Sequence, residues 1–178
     1  AAIYSMTDSG YLAVRIVQVI VDVGSCLLLF LLARRLYGAL AGVIAAGLMS
    51  VYWAFVYYTM ELNQPTLFIF LLLSILLLLQ RWGERRHLGY AWAAGGLMGL
   101  TMLLRPETVV TAVVVLAWMT WVAYRQSAWR AWAKAAPVFV LAAAVLVAPV
   151  TVRNYLESGS FTLISYTGEA SLYIGNNP

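Results

Sequence analysis

Six apolar runs, each near the length of a bilayer crossing and parted by only a few polar residues, constrain this chain more than any other feature. They cover residues 11–33, 39–59, 65–80, 88–104, 108–124 and 135–152. At ~1.5 Å of rise per residue, about 20 residues cross the ~30 Å hydrocarbon layer as a helix. Runs 65–80 and 108–124 are short, so flanking residues or local thinning of the bilayer must complete them, unless one run is a re-entrant or interfacial helix. Composition argues against a soluble fold: 63% of residues are hydrophobic and 10% charged, against roughly 25% charged in an ordinary soluble domain. A soluble chain of this size leaves too much surface in water to hide so many apolar side chains. The expected fold class is an all-α polytopic membrane protein, with about six transmembrane helices in residues 1–152. Residues 153–178 are polar and punctuated by Gly159, Gly168 and Gly175. They read as the start of an extracytoplasmic segment that can form short strands at 161–165 and 171–174. The chain starts Ala1-Ala2-Ile3-Tyr4 and stops at Asn176-Asn177-Pro178; it reads as an internal fragment without a signal peptide.

Charge sets the expected orientation. Counting loops alternately, one side receives Arg34 and Arg35, then Arg81, Arg85 and Arg86, then Arg125, Arg130 and Lys134, which is eight of the eleven basic residues. The other side receives Arg105 and Arg153, and Arg15 lies in the first run. The excess of Lys and Arg makes the first side cytoplasmic. Asp8, Glu61, Glu107, Glu157 and Glu169 fall on the opposite side, with Glu84 inside. Trp82, Trp129 and Trp132 then mark the inner interface and Tyr57, Tyr58 and Tyr155 the outer one, as an aromatic belt requires. Gly95 and Gly99 stand four apart in the fourth run, the spacing at which small residues let membrane helices approach.

Several function classes drop out. The net charge of +4 sits in short inter-helix loops rather than a groove, so no nucleic-acid partner is expected. Cys26 and His87 are the sole Cys and His, and no metal-site spacing occurs; no metal ligand is assigned and no cofactor is certain, although a divalent metal stays open. No phosphate-binding loop, dinucleotide fingerprint, zinc-protease motif or nucleophile elbow is present.

Ionisable residues in or beside the membrane are costly, and so are functional candidates. Glu61 follows Tyr57-Tyr58-Thr59-Met60 in an outer turn; it suits a sugar hydroxyl, a proton or a cation, or is a solvated loop carboxylate. Arg105 and Glu107 flank Pro106 in the next outer turn. An arginine there opposes the charge bias, and a guanidinium grips phosphate bidentately; a local pair with Glu107 is the alternative. Arg153 and Asn154 end the last run, where Arg153 is a phosphate ligand or a snorkelling anchor. Arg15 and Asp22 share one face of the first helix, seven residues apart, and read as a structural ion pair before a catalytic one.

Three stretches together resemble the GT-C glycosyltransferases, in the branch of protein O-mannosyltransferases and lipid A aminoarabinose transferase. The first is Ala13-Val14-Arg15-Ile16-Val17-Gln18 running to Ala33-Arg34-Arg35-Leu36-Tyr37-Gly38. The second is Gly95-Gly96-Leu97-Met98-Gly99-Leu100-Thr101-Met102-Leu103-Leu104-Arg105-Pro106-Glu107. The third, and most specific, is Pro149-Val150-Thr151-Val152-Arg153-Asn154-Tyr155 with Gly159-Ser160-Phe161 and Leu172-Tyr173-Ile174-Gly175-Asn176-Asn177-Pro178. The resemblance implies about a dozen helices with a C-terminal extracytoplasmic domain. It also implies transfer of a sugar from a polyprenyl-phosphate donor to a protein or glycolipid acceptor on the outer face of, most simply, a bacterial inner membrane. The family's base is an acidic residue in the first outer loop, which would precede Ala1. Glu61 matches a later acidic position facing the sugar, in a looser setting, since Leu62-Asn63-Gln64-Pro65 follows it. Glu61, Arg105, Arg153 and Asn154 are accordingly the expected substrate-binding residues. The rival reading is a transporter or flippase for a lipid-linked or polar solute, which predicts internal repeats and helices broken near the midplane.

Overall fold

The computed structural model describes residues 11–60, 64–159 and 164. Seven α-helices and one 3-10 turn occur among them: α1 Tyr11–Tyr37, α2 Ala39–Val51, α3 Trp53–Met60, α4 Pro65–Arg85, α5 Leu88–Leu104, the turn Pro106–Thr108, α6 Val109–Arg125 and α7 Trp129–Ser158. No strand occurs among the described residues; the segments 161–165 and 171–174 lie outside them apart from Ile164. The segments Leu12–Tyr37, Pro65–Arg85, Pro106–Arg125 and Trp129–Glu157 are long and apolar enough to cross a membrane, and Ala39–Val51 and Leu88–Leu104 are shorter apolar helices. The protein is therefore an all-α polytopic membrane protein. Its outer surface is oily, with Ile20, Val110 and Leu141 all more than half exposed. That is the reverse of a soluble fold, and stable where lipid is the solvent.

Helix ends differ from the apolar runs where polar residues can still be helical. Arg34 and Arg35 belong to α1, Arg81 and Arg85 to α4, and α7 runs from Trp129 to Ser158, beyond both edges of the run at 135–152. A backbone leaving a bilayer has no reason to unwind until a breaker intervenes. Gly38 supplies one after α1 with φ 95°, and Gly159 another after α7 with φ 68°, conformations that favour a residue lacking Cβ. The run at 39–59 is interrupted: Tyr52 takes ψ 114° between α2 and α3. No proline or glycine sits there; Val51, Tyr52 and Trp53 are β-branched or aromatic residues of modest helix propensity. The break gives the chain a bend lined by Leu29, Leu48, Met49, Tyr52, Trp53 and Phe55, around a cleft of ≈ 690 Å³.

The chain forms two compact units, Ala1–Leu77 and Leu78–Pro178. In the first, α1 and α2 fold back as a hairpin about Gly38. A Cβ at Gly42 would stand 2.9 Å from the Phe30 carbonyl oxygen, so the helices meet backbone to side chain. Ser25 is buried there and donates to Val21 O at 3.0 Å. In the second unit, α5 and α7 run in the same direction in close contact. A Cβ at Gly95 would overlap the Phe139 carbonyl oxygen, and four residues on, a Cβ at Gly99 would lie 2.8 Å from the carbonyl oxygen of Ala143. Around this seam the core is made of small and flexible residues: Ala91, Ala94, Met98, Met119, Ala142 and Ala143 are buried. Without a hydrophobic force between helices in lipid, such close fitting supplies the cohesion.

Candidate functional site

The ends of the second unit's helices carry its polar chemistry, and the two ends differ. The sparse end is built by the α5–α6 turn and the last turns of α7. Pro106 disfavours a helical conformation in the residue before it, and Arg105 is accordingly extended, at φ −142° and ψ 99°. The turn is then locked. Thr108, buried, donates its hydroxyl to Arg105 O at 2.7 Å and its amide to the same oxygen at 3.0 Å. The Arg105 amide donates back to Thr101 O at 2.9 Å, and the buried Thr101 hydroxyl donates to Leu97 O. This fixed backbone carries an exposed guanidinium, with Nη1 3.8 Å from Glu107 Oε1. Arg153 Nε stands 3.0 Å from Glu157 Oε1, one helical turn along α7, and both groups are largely exposed. Exposed pairs of this kind are weak, so either arginine can exchange its carboxylate for another anion.

The seam at Gly95 and Gly99 sets the relative height of the two arginines. Carrying its register to the helix ends at ~1.5 Å per residue places Arg153 about 6 Å beyond the level of Arg105. The fold thus brings these two cations to one end of a single helix pair. Asn154 plays a different part: its side-chain amide donates to Ile164 O at 3.0 Å, tying that residue to α7. Glu61 lies outside the described residues. Beside it in sequence, Trp53, Tyr57 and Tyr58 form a run of ring contacts along α3, with centroids 6.3 and 5.6 Å apart. Thr66, buried at the start of α4, donates to Tyr58 O at 3.3 Å. On α1, Arg15 is exposed and Asp22 half-buried.

At the basic end lie Arg81 and Arg85 of α4, Arg125 of α6, and Arg130 and Lys134 of α7. Trp82 is fully buried there, with the Arg86 guanidinium 4.8 Å over its ring. Arg86 adopts φ 55° and its amide donates to Trp82 O at 2.9 Å. It fills the left-handed helix-end position usually given to glycine, at a cost of about 1 kcal/mol. Nothing in the sequence separates Arg86 from Arg81 or Arg85; the signal is its folded backbone. Among the described residues no group of three His, Cys, Asp or Glu side chains is placed to hold a metal ion.

Comparison with known proteins gives one family. The model of the family described as dolichyl-phosphate-mannose-protein mannosyltransferase matches residues 1–152. No curated protein and no solved structure matches significantly.

Proposed function

Because the chain belongs to the dolichyl-phosphate-mannose-protein mannosyltransferase family, and so to a family of membrane glycosyltransferases with lipid-linked sugar donors, we propose that it serves transfer from a polyprenyl-phosphate sugar to a hydroxyl acceptor at the sparse, extracytoplasmic end of its helices. In this reading the basic loops of Arg34 and Arg35, Arg81 to Arg86 and Arg125 to Lys134 face the cytoplasm of a bacterial inner membrane. The reaction breaks the bond between the sugar's anomeric carbon and the phosphate oxygen. The bonding pair leaves with the polyprenyl phosphate, the acceptor oxygen bonds to the sugar, and its proton passes to a carboxylate. A cation at the departing phosphate is worth most in the transition state, where that charge grows.

The observation that carries this reading is the placement of Arg105 and Arg153 at one end of the α5–α7 pair, each on a weak, exposed carboxylate contact. Two exchangeable guanidiniums suit a phosphate that arrives and leaves. Asn154, next to Arg153 in sequence, donates to Ile164 O. We assign Glu61, which follows Trp53, Tyr57 and Tyr58 in the sequence, to the sugar, and assign the proton acceptor to none of the described residues.

The test is a transfer assay on the full-length protein with a panel of polyprenyl-phosphate sugars, comparing the parent with Arg105→Ala and Arg153→Ala. Slower turnover with retained folding supports the assignment; unchanged turnover in both removes them from the mechanism. The Tyr52 break is the observation that favours a transporter. Its lining is aliphatic and aromatic, however, without the polar side chains that hold an ion or polar solute at a broken helix. Transport of a lipid-linked sugar by proteoliposomes, without transfer, is the result that would select it.

A further inference from the structure

The basic end holds a second, separate feature. A cleft of ≈ 330 Å³ opens between the α4–α5 turn and the first turns of α7, lined by Arg86, His87, Leu88, Ala131 and Lys134. Two of these carry full positive charge and none is acidic. Glu84, the acidic residue of this end, is exposed on α4 and does not line the cleft. Arg86 is fastened from two sides, over the Trp82 ring and by an Nη2 bond to the side-chain oxygen of Gln126. Its Nη1 is nevertheless buried with no acceptor in the protein. Burial also pulls its pKa below the usual arginine value, while a guanidinium stays charged at neutral pH. An unanswered buried donor on a cation is expensive to leave.

The other walls point the same way. His87 caps α5, its Nδ1 accepting from the Gly89 amide at 3.1 Å, so the proton of the neutral ring belongs on Nε2, a donor. Leu88 is the first residue of α5, and the positive end of that helix's dipole therefore sits at the cleft. Nearby, Trp129 and Trp132 stack edge to face, with centroids 5.9 Å apart, and the Trp132 indole nitrogen is also buried without an acceptor. Tryptophans of this kind mark headgroup level in a membrane protein. The apolar side chains of Leu88 and Ala131 in the same wall suit the glycerol and first methylenes of a lipid.

We propose that this cleft binds a phosphate anion, supplied by the headgroup of an acidic phospholipid. Arg86 and Lys134 grip the phosphate, with His87 and the α5 N-terminus completing the donor set. The ligand is a resident of the membrane rather than a reactant, and the site lies at the opposite end of α5 and α7 from Arg105 and Arg153.

The test is native mass spectrometry of the full-length protein titrated with phosphatidylglycerol, with phosphatidylcholine as the neutral comparison and inorganic phosphate as competitor. The parent is expected to retain phosphatidylglycerol saturably, and Arg86→Gln and Lys134→Gln each to bind it about tenfold more weakly, as loss of one charge-assisted contact predicts. Arg125→Gln, which removes an exposed cation of the same end stacked 5.5 Å from the Trp121 ring, is expected to leave retention unchanged. If Arg86→Gln does not fold, the exposed Lys134 decides alone. Displacement by millimolar phosphate supports the anion site and assigns it a soluble source as well. Parent-like retention in Lys134→Gln, or an equal loss in Arg125→Gln, overturns the proposal, since the attraction is then diffuse surface charge.

Discussion

The two ends of the second unit use the same side chain in opposite ways. At the sparse end, Arg105 is half-exposed and Arg153 largely exposed, and each has a carboxylate of its own within reach. At the basic end, Arg86 is pressed over a buried tryptophan with one nitrogen left unanswered. A guanidinium in water with a weak partner can trade it for a passing phosphate and trade back. A guanidinium partly desolvated, with one nitrogen short of an acceptor, gains most from a ligand that stays. The difference teaches that arginine count alone does not mark a working face: turnover suits the end with fewer, looser cations, and anchoring suits the end with more, tighter ones.

The comparison breaks most completely if the seam shared by both ends is opened. Gly95→Leu places a side chain where the Phe139 carbonyl already lies, so α5 and α7 must separate. A loss of ~3 kcal/mol or more is expected, read as a fall in thermal midpoint together with loss of transfer. Next in size is Arg105→Ala, and Arg153→Ala beside it. If these cations meet the departing phosphate, transfer should slow roughly 10²-fold, with the thermal midpoint held because exposed pairs contribute little. A variant that loses both together would instead place the arginine in the fold. Thr108→Val sharpens the same end, since it removes the hydroxyl bond to Arg105 O. It should cost ~1–2 kcal/mol and lower transfer through a mispositioned Arg105. The smallest effect belongs to Asn154→Ala, which frees Ile164 O for about 1 kcal/mol. Faster proteolysis just beyond Gly159, with the helical core intact, is the outcome to look for.

Much of the sparse end could be read in advance. The proline after Arg105 announces the helix end, and a basic residue on the charge-poor side stands out against the bias. Which of two readings holds for Arg105, local pairing or phosphate binding, was not readable. The structure shows the Glu107 contact, yet its length and exposure leave the guanidinium exchangeable. At the basic end the sequence placed three arginines in one loop and three tryptophans at one interface, and the structure tells the members of each set apart. Trp82 is buried, and Arg86 stands apart from its neighbours only through a left-handed backbone. The break at Tyr52 was equally silent, because neither proline nor glycine marks it and propensity differences at three residues are too small to predict an interruption.

By itself the sequence determined the solvent and the helical class. These follow from sums over many residues: a low share of charged side chains, and apolar runs long enough for a bilayer, in which every backbone group must bond within its own helix. Tertiary structure alone decided which arginines are tight and which are loose, where a helix interrupts, and how Arg105 and Arg153 share one end. Those outcomes rest on single contacts between residues far apart in the chain, such as Gly95 against Phe139 or Arg86 over Trp82 with Gln126 beside it. No sum along the sequence records which partner a side chain meets.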